Sequence, residues 1–291
     1  MDLPQLRALV AAVETGTLDA AAGVLHVTPS AVSQRIRALE SATGQVLLVR
    51  SRPVVPTEAG TAVLRLARQV ELLVADTTAQ LTGAPGAGPP VLPLAVNADS
   101  LATWFLPGVA PLAADVQLDV RVADQTMTSG LLREGTVMAA VTADPEPVPG
   151  CSVERLGAMT YRPRATRAFV ERWFPAGATP AELRRAPTVA FDRTDDLQDA
   201  YLRRRTHDRP APPVHHVPSS ADYLAAVRLG MGWGMLPDLQ TGPDDGLVVL
   251  DPAGAVDVVL CWQQWKLRSP GLDRVADGVR RTARAALGGT P

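Results

Sequence analysis

Four residues in one short segment have the types and the spacing for reading a nucleic acid. Ser30, Ser33, Gln34 and Arg37 recur at i, i+3, i+4 and i+7, so on a helix they form one stripe of hydroxyls, an amide and a guanidinium. A glutamine amide reads adenine through two hydrogen bonds, an arginine reads guanine or grips a phosphate, and a serine reaches either. Val32, Ile36 and Leu39 fall on another face of the same helix, centred roughly 140° away at about 100° per residue. One face can be held by a core while the other is offered outward. A merely solvated face has the same periodicity, so the flanking residues must decide.

They favour a nucleic acid. Thr28-Pro29 supplies an N-cap and then proline at the first helical position, which starts the polar helix abruptly and lets it run over about 29–42. Ahead of it, Leu6, Leu9, Val10 and Val13 mark the buried stripe of one helix; Leu18, Ala21, Ala22 and Leu25 mark a second, begun after Gly16-Thr17. Behind it, Val46-Leu47-Leu48-Val49 and Val54-Val55 flank Arg50-Ser51-Arg52-Pro53, a hairpin-like wing with two arginines at its tip. Arginines so placed suit a narrow minor groove, where the negative potential is strongest. Residues 28–52 carry four arginines against one glutamate, a local +3 on a chain of net charge −2. A short polar helix after a tight turn is the reading helix of a helix-turn-helix.

A second constellation suits a small charged ligand. A strand hands over to a helix in Asn97-Ala98-Asp99-Ser100-Leu101-Ala102-Thr103-Trp104, and again in Pro218-Ser219-Ser220-Ala221-Asp222. Unpaired N–H groups at such places welcome a carboxylate, and ligands of open α/β sheets lie at the carboxyl ends of the strands. Asp124, Asp192, Asp195, Asp196 and Asp222 gather near predicted strand ends as acids for a cationic group. Plain N-capping accounts equally for Ser100, Ser219 and Ser220, and turn chemistry for each aspartate taken alone.

Catalysis finds no comparable support. The histidines are His26, His207, His215 and His216, and the adjacent pair points opposite ways on a strand. Gly230-Met231-Gly232-Trp233-Gly234 lacks the lysine and the spacing of a phosphate loop. Cys151 and Cys261 fit neither a disulfide framework nor a zinc spacing; they read as reduced, buried thiols, with a redox switch as the alternative. We therefore expect no enzyme, no cofactor and no metal.

The elements that position these residues fall into three zones. Of the 291 residues, 46% are hydrophobic and 20% charged, the composition of a globular chain of about two domains. Twenty-eight basic against thirty acidic residues exclude a wholly basic surface, so any nucleic-acid surface is local. No run approaches the roughly 18 apolar residues of a membrane span, and the N-terminus lacks a basic-then-apolar leader; a cytoplasmic protein with no membrane partner is expected. Residues up to about 58 are helical with short turns. From Thr57, apolar or small residues at 59, 62, 66, 70, 73 and 77 make a heptad-like seam, on a rod of about 24 residues and about 36 Å. Such a helix has few partners in its own chain, so a homodimer is expected; packing on its own C-terminal domain is the alternative. Gly83 to Pro90 reads as a linker. Beyond it strands and helices alternate as in βαβ units: Val91–Asn97, 100–114, Val116–Asp124, 126–134, Val137–Thr142, then Thr188–Asp192, 195–206, Val214–Val217, 219–229 and Gly232–Leu236, with a closing helix over about 271–287.

The run Pro29 to Glu40, followed by Gly44, Arg50, Thr57 and Gly60, resembles the winged helix-turn-helix of LysR-type transcriptional regulators, with Leu48 where most of that superfamily has Phe. The resemblance implies that Ser33 and Gln34 face bases, that Ser30, Arg35 and Arg37 hold base edges or phosphates, and that Arg50 and Arg52 serve the wing. With Thr28 and Pro29 these are the expected DNA-binding residues. It also implies a double-stranded operator, RNA polymerase as a partner, and dimers that pair into tetramers.

Val96 to Pro107, Gly157 to Tyr161, Ala190 to Asp196 and Pro218-Ser219-Ser220 are similar to the LysG/ArgP branch, which senses lysine or arginine and controls an exporter gene for them. What this implies is an α+β multi-domain chain. It comprises a winged helix-turn-helix over 1–58, a dimerisation helix and linker over 59–88, and an α/β effector domain over 89–291, two-lobed like a periplasmic binding protein. Its lobes would be about 90–160 plus 267–291, and about 161–266. The implied effector contacts are Asn97, Asp99, Ser100, Thr103, Trp104, Asp124, Asp192, Asp195, Ser219, Ser220 and Asp222. Ala123 and Gln125 flank Asp124 where relatives carry more acid, and that leaves room for a different effector such as an aromatic acid. A solute-binding protein without DNA function and a small-molecule enzyme are the remaining readings.

Overall fold

The computed structural model describes residues 1–49, 51–82, 91–122, 128–208, 211–243 and 245–288. Arg50, Asp124 and the Gly83 to Pro90 linker lie outside the described residues.

Helix α1 (Leu3–Thr15) begins in a capping box, in which the Gln5 N–H donates to Asp2 Oδ1 at 2.9 Å and the Asp2 N–H to Gln5 Oε1 at 3.2 Å. Thr17 caps α2 (Leu18–Val24), and Thr28 caps α3 (Pro29–Thr43), with Pro29 in the first turn as its fixed φ favours. Leu6, Leu9 and Val10 of α1, Ala21 and Ala22 of α2, and Val32, Ile36 and Leu39 of α3 close one core. Strands β1 (Leu48–Val49) and β2 (Val55–Pro56) pair antiparallel as the wing, with Leu48 opposite Pro56. Thr57 then starts α4 (Glu58–Thr82): its hydroxyl accepts the Gly60 N–H at 3.0 Å and donates to Val46 O at 2.7 Å. A Cβ on Gly60 would collide with the Leu47 carbonyl, so only glycine lets α4 cross the wing this closely.

The seam of α4 is divided on the single chain: Ala59 and Val70 pack on the N-terminal core, and the remaining positions do not. Leu64 and Ala67 complete the N-terminal core and Leu72 enters the core of the C-terminal part, while Ala62, Leu66, Leu73 and Thr77 face solvent on the single chain.

The C-terminal part opens with β3 (Val91–Val96) and a helix in pieces: α5 (Ala98–Ser100), a π turn over Leu101–Phe105, and α6 (Leu106–Val109). Pro107 has no N–H to give Thr103 O, and the helix widens just before it. Then follow β4 (Gln117–Val122), α7 (Thr128–Arg133), β5 (Ala139–Thr142), β6 (Cys151–Thr166), α8 (Arg167–Trp173) and α9 (Pro180–Leu183). The chain continues through β7 (Thr188–Ala190), α10 (Leu197–Thr206), β8 (Val214–His216), α11 (Ser220–Arg228), β9 (Gly234–Pro237), β10 (Leu247–Val249), β11 (Val256–Trp265) and α12 (Pro270–Leu287).

Two sheet halves result. The strand order β10–β6–β11–β5–β3–β4 has β3 parallel to β4 and β5, with β9 also on β6. Strands β7 and β8 pair in parallel, and a bridge from Thr188 to Trp233 ties β7 to the entry of β9. The first lobe is built on β3, β4 and β5, and the second on β7 to β10. The long strands β6 and β11 run antiparallel to each other through both. The sequence pattern did not reveal β6, β10 or β11. Cys151 and Cys261 sit buried on β6 and β11, and burial pushes the Cys151 thiol up to about 11, away from the reactive thiolate.

Candidate functional site: a polar helix face and an inter-lobe cleft

On α3, Ser30, Gln34 and Arg37 are exposed, while Ser33 and Arg35 are half-buried. The buried positions Val32, Ile36 and Leu39 hold the helix from behind. The Thr28 hydroxyl accepts the Ala31 N–H at 3.2 Å and lies 2.9 Å from Ser30 Oγ, which ties the first turn together. Among the described residues, Gln34, Arg35, Arg37 and Arg52 make no ion pair, so their polar ends are free for an outside partner. The Glu40 carboxylate accepts the Leu47 N–H at 2.9 Å and so fixes the wing against the same helix. This arrangement presents donors and acceptors of the kind that enter a major groove, beside a basic tip.

The cleft lies between the lobes, around a cavity of about 60 Å³ lined by Asn97 and Asp99 of the first lobe, Tyr161 of β6, and Phe191, Asp195 and Tyr223 of the second. Asp99 follows β3, and its carboxylate accepts from the Tyr161 hydroxyl at 2.8 Å and, across the cleft, from Ser220 Oγ at 2.7 Å. Ser220 Oγ in turn accepts from Gln240 Nε2 at 3.0 Å. Asp195 follows β7 and caps its own turn, accepting the Phe191 N–H at 2.9 Å and the Leu197 N–H at 3.2 Å. Behind it, Gln198 Nε2 donates to the Tyr223 hydroxyl at 2.7 Å and to Val189 O at 2.8 Å, which locks α10 and α11 to β7.

Both carboxyls are pushed above the ordinary aspartate range. Burial is the main cause for each, and for Asp195 the nearby charge of Asp99 adds to it. None of the salt bridges among the described residues involves either one. The buried Asn97 Oδ1, unlike those carboxylates, has no protein donor. Two acids and an amide oxygen without a cation make a site that favours a cationic guest.

The other expected effector residues are placed differently. Ser100 is fully buried with its hydroxyl unpartnered, and it lies behind the cleft wall. Thr103 donates to Asp99 O at 2.6 Å, and with Trp104 it lines a separate groove of about 250 Å³ beside α12. Asp192 is consumed by its own turn, accepting from the Thr194 N–H and hydroxyl, each at 2.7 Å, and these bonds hold its carboxyl below the usual range. Ser219 caps α11, and Asp222 is exposed on its first turn. Tyr161, Tyr223, Gln198 and Gln240 escaped sequence reasoning as site residues. Tyr161 alone had a signal, at the end of the Gly157 to Tyr161 run.

A winged helix-turn-helix joined through a long helix to a two-lobed domain with a charged cleft defines a ligand-responsive DNA-binding regulator. Residues 3–61 match the model described as "Bacterial regulatory helix-turn-helix protein, lysR family", and residues 95–284 match the LysR substrate binding domain. The chain belongs to the LysR family of transcriptional regulators. It is 48% identical over 285 residues to the HTH-type transcriptional regulator LysG of Mycobacterium tuberculosis, covering 97% of this chain and 94% of that one. Among solved structures, it is similar to ArgP from Mycobacterium tuberculosis (TM-score 0.88, 46% identity, 97% of each chain). It is also similar to full-length LysG from Corynebacterium glutamicum with bound effector arginine (TM-score 0.81, 36% identity, 99% of each chain). Among the described residues no helix is long and apolar enough to cross a membrane.

Proposed function

We propose that this regulator senses a free basic amino acid, arginine or lysine, between its two lobes and controls a gene that exports it. The observation that carries the reading is the pair Asp99 and Asp195, one from each lobe, facing one cavity with no protein cation against either. A basic amino acid brings two cationic groups, one for each acid, beside its carboxylate, whereas an aromatic carboxylic acid brings the carboxylate with no cation for either acid. The bound arginine of the LysG relative supports the same choice. The cavity of about 60 Å³ has room for a few waters only. Entry therefore requires the lobes to part, and binding redistributes open and closed forms by its unequal affinity for them.

Two chains pair through the exposed Ala62, Leu66, Leu73 and Thr77 stripe of α4, with a tetramer as the further assembly. This sets two α3 helices about one DNA turn, or a multiple of it, apart on a partly palindromic operator. Ser33 and Gln34 read bases, while Thr28, Pro29, Ser30, Arg35, Arg37 and the wing arginines Arg50 and Arg52 hold edges and phosphates. Effector-driven closure changes how the dimers sit and how RNA polymerase reaches the promoter. The protein acts in the cytoplasm and uses neither cofactor nor catalytic chemistry. A thermal-shift screen tests the effector: arginine or lysine raises the melting midpoint, and aromatic acids leave it unchanged. A rise with aromatic acids alone would overturn the assignment.

A further inference from the structure

One acid in the basic segment stands against the local electrostatics. Between Thr28 and Arg52 the chain carries four arginines and a single acid, Glu40. It lies in the last turn of α3, where the helix end is already negative and favours cations. It also shares its helix with the face offered to phosphates, which repel a carboxylate. Arg37, one turn earlier, makes no ion pair among the described residues, so Glu40 is not there to neutralise it. A half-buried acid held against both fields must serve something else.

What it meets is the wing. Glu40 Oε1 accepts the Leu47 N–H at 2.9 Å, while its own carbonyl accepts the Gln45 N–H at 3.2 Å and the Thr43 hydroxyl at 3.1 Å. The same residue closes the helix and catches the arm that follows it. That arm needs holding. Its ladder with the returning arm has two residue pairs, Leu48 with Pro56 and Val49 with Val55, and Pro56 has no N–H to give. A hairpin so short does not stand alone. Leu47 and Leu48 are buried and Val49 and Val55 are exposed, so burial holds the root of the wing and not its tip.

The other ties reach different parts of the domain. Thr57, just ahead of α4, donates from its N–H to Leu47 O at 2.9 Å and from its hydroxyl to Val46 O at 2.7 Å. The Val54 N–H donates to Gly16 O at 2.9 Å, in the turn between α1 and α2. Among the described residues, the side-chain hydrogen bond from α3 to the wing is that of Glu40. Packing does not replace it. A gap of about 40 Å³ lies between Ser33, Ile36, Arg37 and Glu40 on α3 and Leu48 and Val54 on the wing.

We infer that Glu40 is a positioning residue for DNA reading, a brace that fixes the angle between the base-reading helix and the Arg52 tip. With that angle set, one domain engages a major groove and the adjoining minor groove together. This rests on the reading of α3 and the wing as the DNA face. The brace acts through its acceptor oxygen, and its charge opposes DNA. Neutralising the residue and truncating it therefore act in opposite directions, whereas a base contact or a purely electrostatic role would move both variants the same way.

The test uses the full chain, gel-shift titrations on the operator at several salt concentrations, and hydrogen exchange. Glu40→Gln keeps an acceptor oxygen without the charge and should bind the operator at least as tightly as wild type. Glu40→Ala should bind about fivefold or more weakly, the loss expected of one specific contact. Arg52→Ala should by itself reduce the salt slope by about one. On the Glu40→Ala background that reduction should vanish, because the two sites are coupled. Gln34→Ala should cost as much on that background as on wild type, since α3 still folds and reads. Exchange of the Leu47 amide should quicken in Glu40→Ala and not in Glu40→Gln. Losses in both Glu40 variants, gains in both, or additive effects of Glu40→Ala and Arg52→Ala overturn the brace, as does disappearance of the Gln34 effect on the Glu40→Ala background. Silence of both Gln34→Ala and Arg52→Ala in the otherwise wild-type chain would instead overturn the DNA-face reading, and exchange at Leu47 would still decide whether Glu40 holds the wing.

Discussion

Gln34 and Arg37 stand in solvent on α3 without an ion pair among the described residues, whereas Asp99 is already bonded to Tyr161 and Ser220 and Asp195 to its own turn. The helix face gives up only water when its ligand arrives. A guest bound in the cleft as proposed would have to part the lobes and take over bonds that the protein makes with itself. Nothing need rearrange at the first surface, so its affinity follows charge and salt. Binding at the second, as proposed, would bring a change of shape, and unequal affinity for two shapes is what lets a small molecule act as a signal.

The largest expected effect breaks the cleft alone. Asp195→Asn or Asp99→Asn removes one of two charges that receive the ligand, and truncating one partner of a buried charge pair costs about 2–5 kcal/mol. Calorimetry should therefore record at least about a thirtyfold loss of arginine affinity, with DNA binding in the absence of arginine unchanged. A loss of both would mean that the two surfaces are not independent.

Next come the substitutions that separate roles within α3. Gln34→Ala should lose about 1–3 kcal/mol of discrimination at one base pair and relax sequence choice. Arg37→Ala should weaken all sequences alike and reduce the salt slope by about one. Gel-shift titrations on operator variants at several salt concentrations distinguish them. Wild-type behaviour in both variants would remove α3 from the interface.

The smallest effect is a pH dependence that the helix face should not share. The folded pKa values of Asp99 and Asp195 are raised, so the unliganded fold holds protons that the unfolded chain releases near 3.9, and its stability declines as pH rises through those raised values. A cation binds the ionised acids. Arginine affinity should accordingly fall as pH is lowered into that raised range, and binding there should release protons, seen as heats that vary with the buffer. Buffer-independent heats throughout would place the ligand away from these carboxyls.

The N-terminal part was legible because its signals are local. Thr28-Pro29 and the α3 stripe each occupy only a few consecutive turns, and the wing is announced by short apolar runs on either side of its tip. In the effector domain, alternation revealed β3, β4, β5, β7, β8 and β9, which helices separate. Strands β6 and β11 were missed because their partners lie about a hundred residues away, with Trp265 opposite Cys151. The cleft was half legible for the same reason. Asp99 and Asp195 stand at strand ends, where ligands of α/β sheets gather. The Tyr161 and Tyr223 hydroxyls that frame them belong to a strand crossing the lobes and to a helix interior, positions that carry no local motif. Asp192 and Ser219 took the roles that turn and cap chemistry offers any residue of their type.

The most direct measurement is a crystal structure of the full chain with arginine. The ligand should lie between the lobes, with its two cationic groups about 2.7–2.9 Å from the carboxylates of Asp99 and Asp195, one on each lobe. Arginine seated instead in the groove beside Thr103 and Trp104, with those two acids still bonded only to the protein, would contradict it.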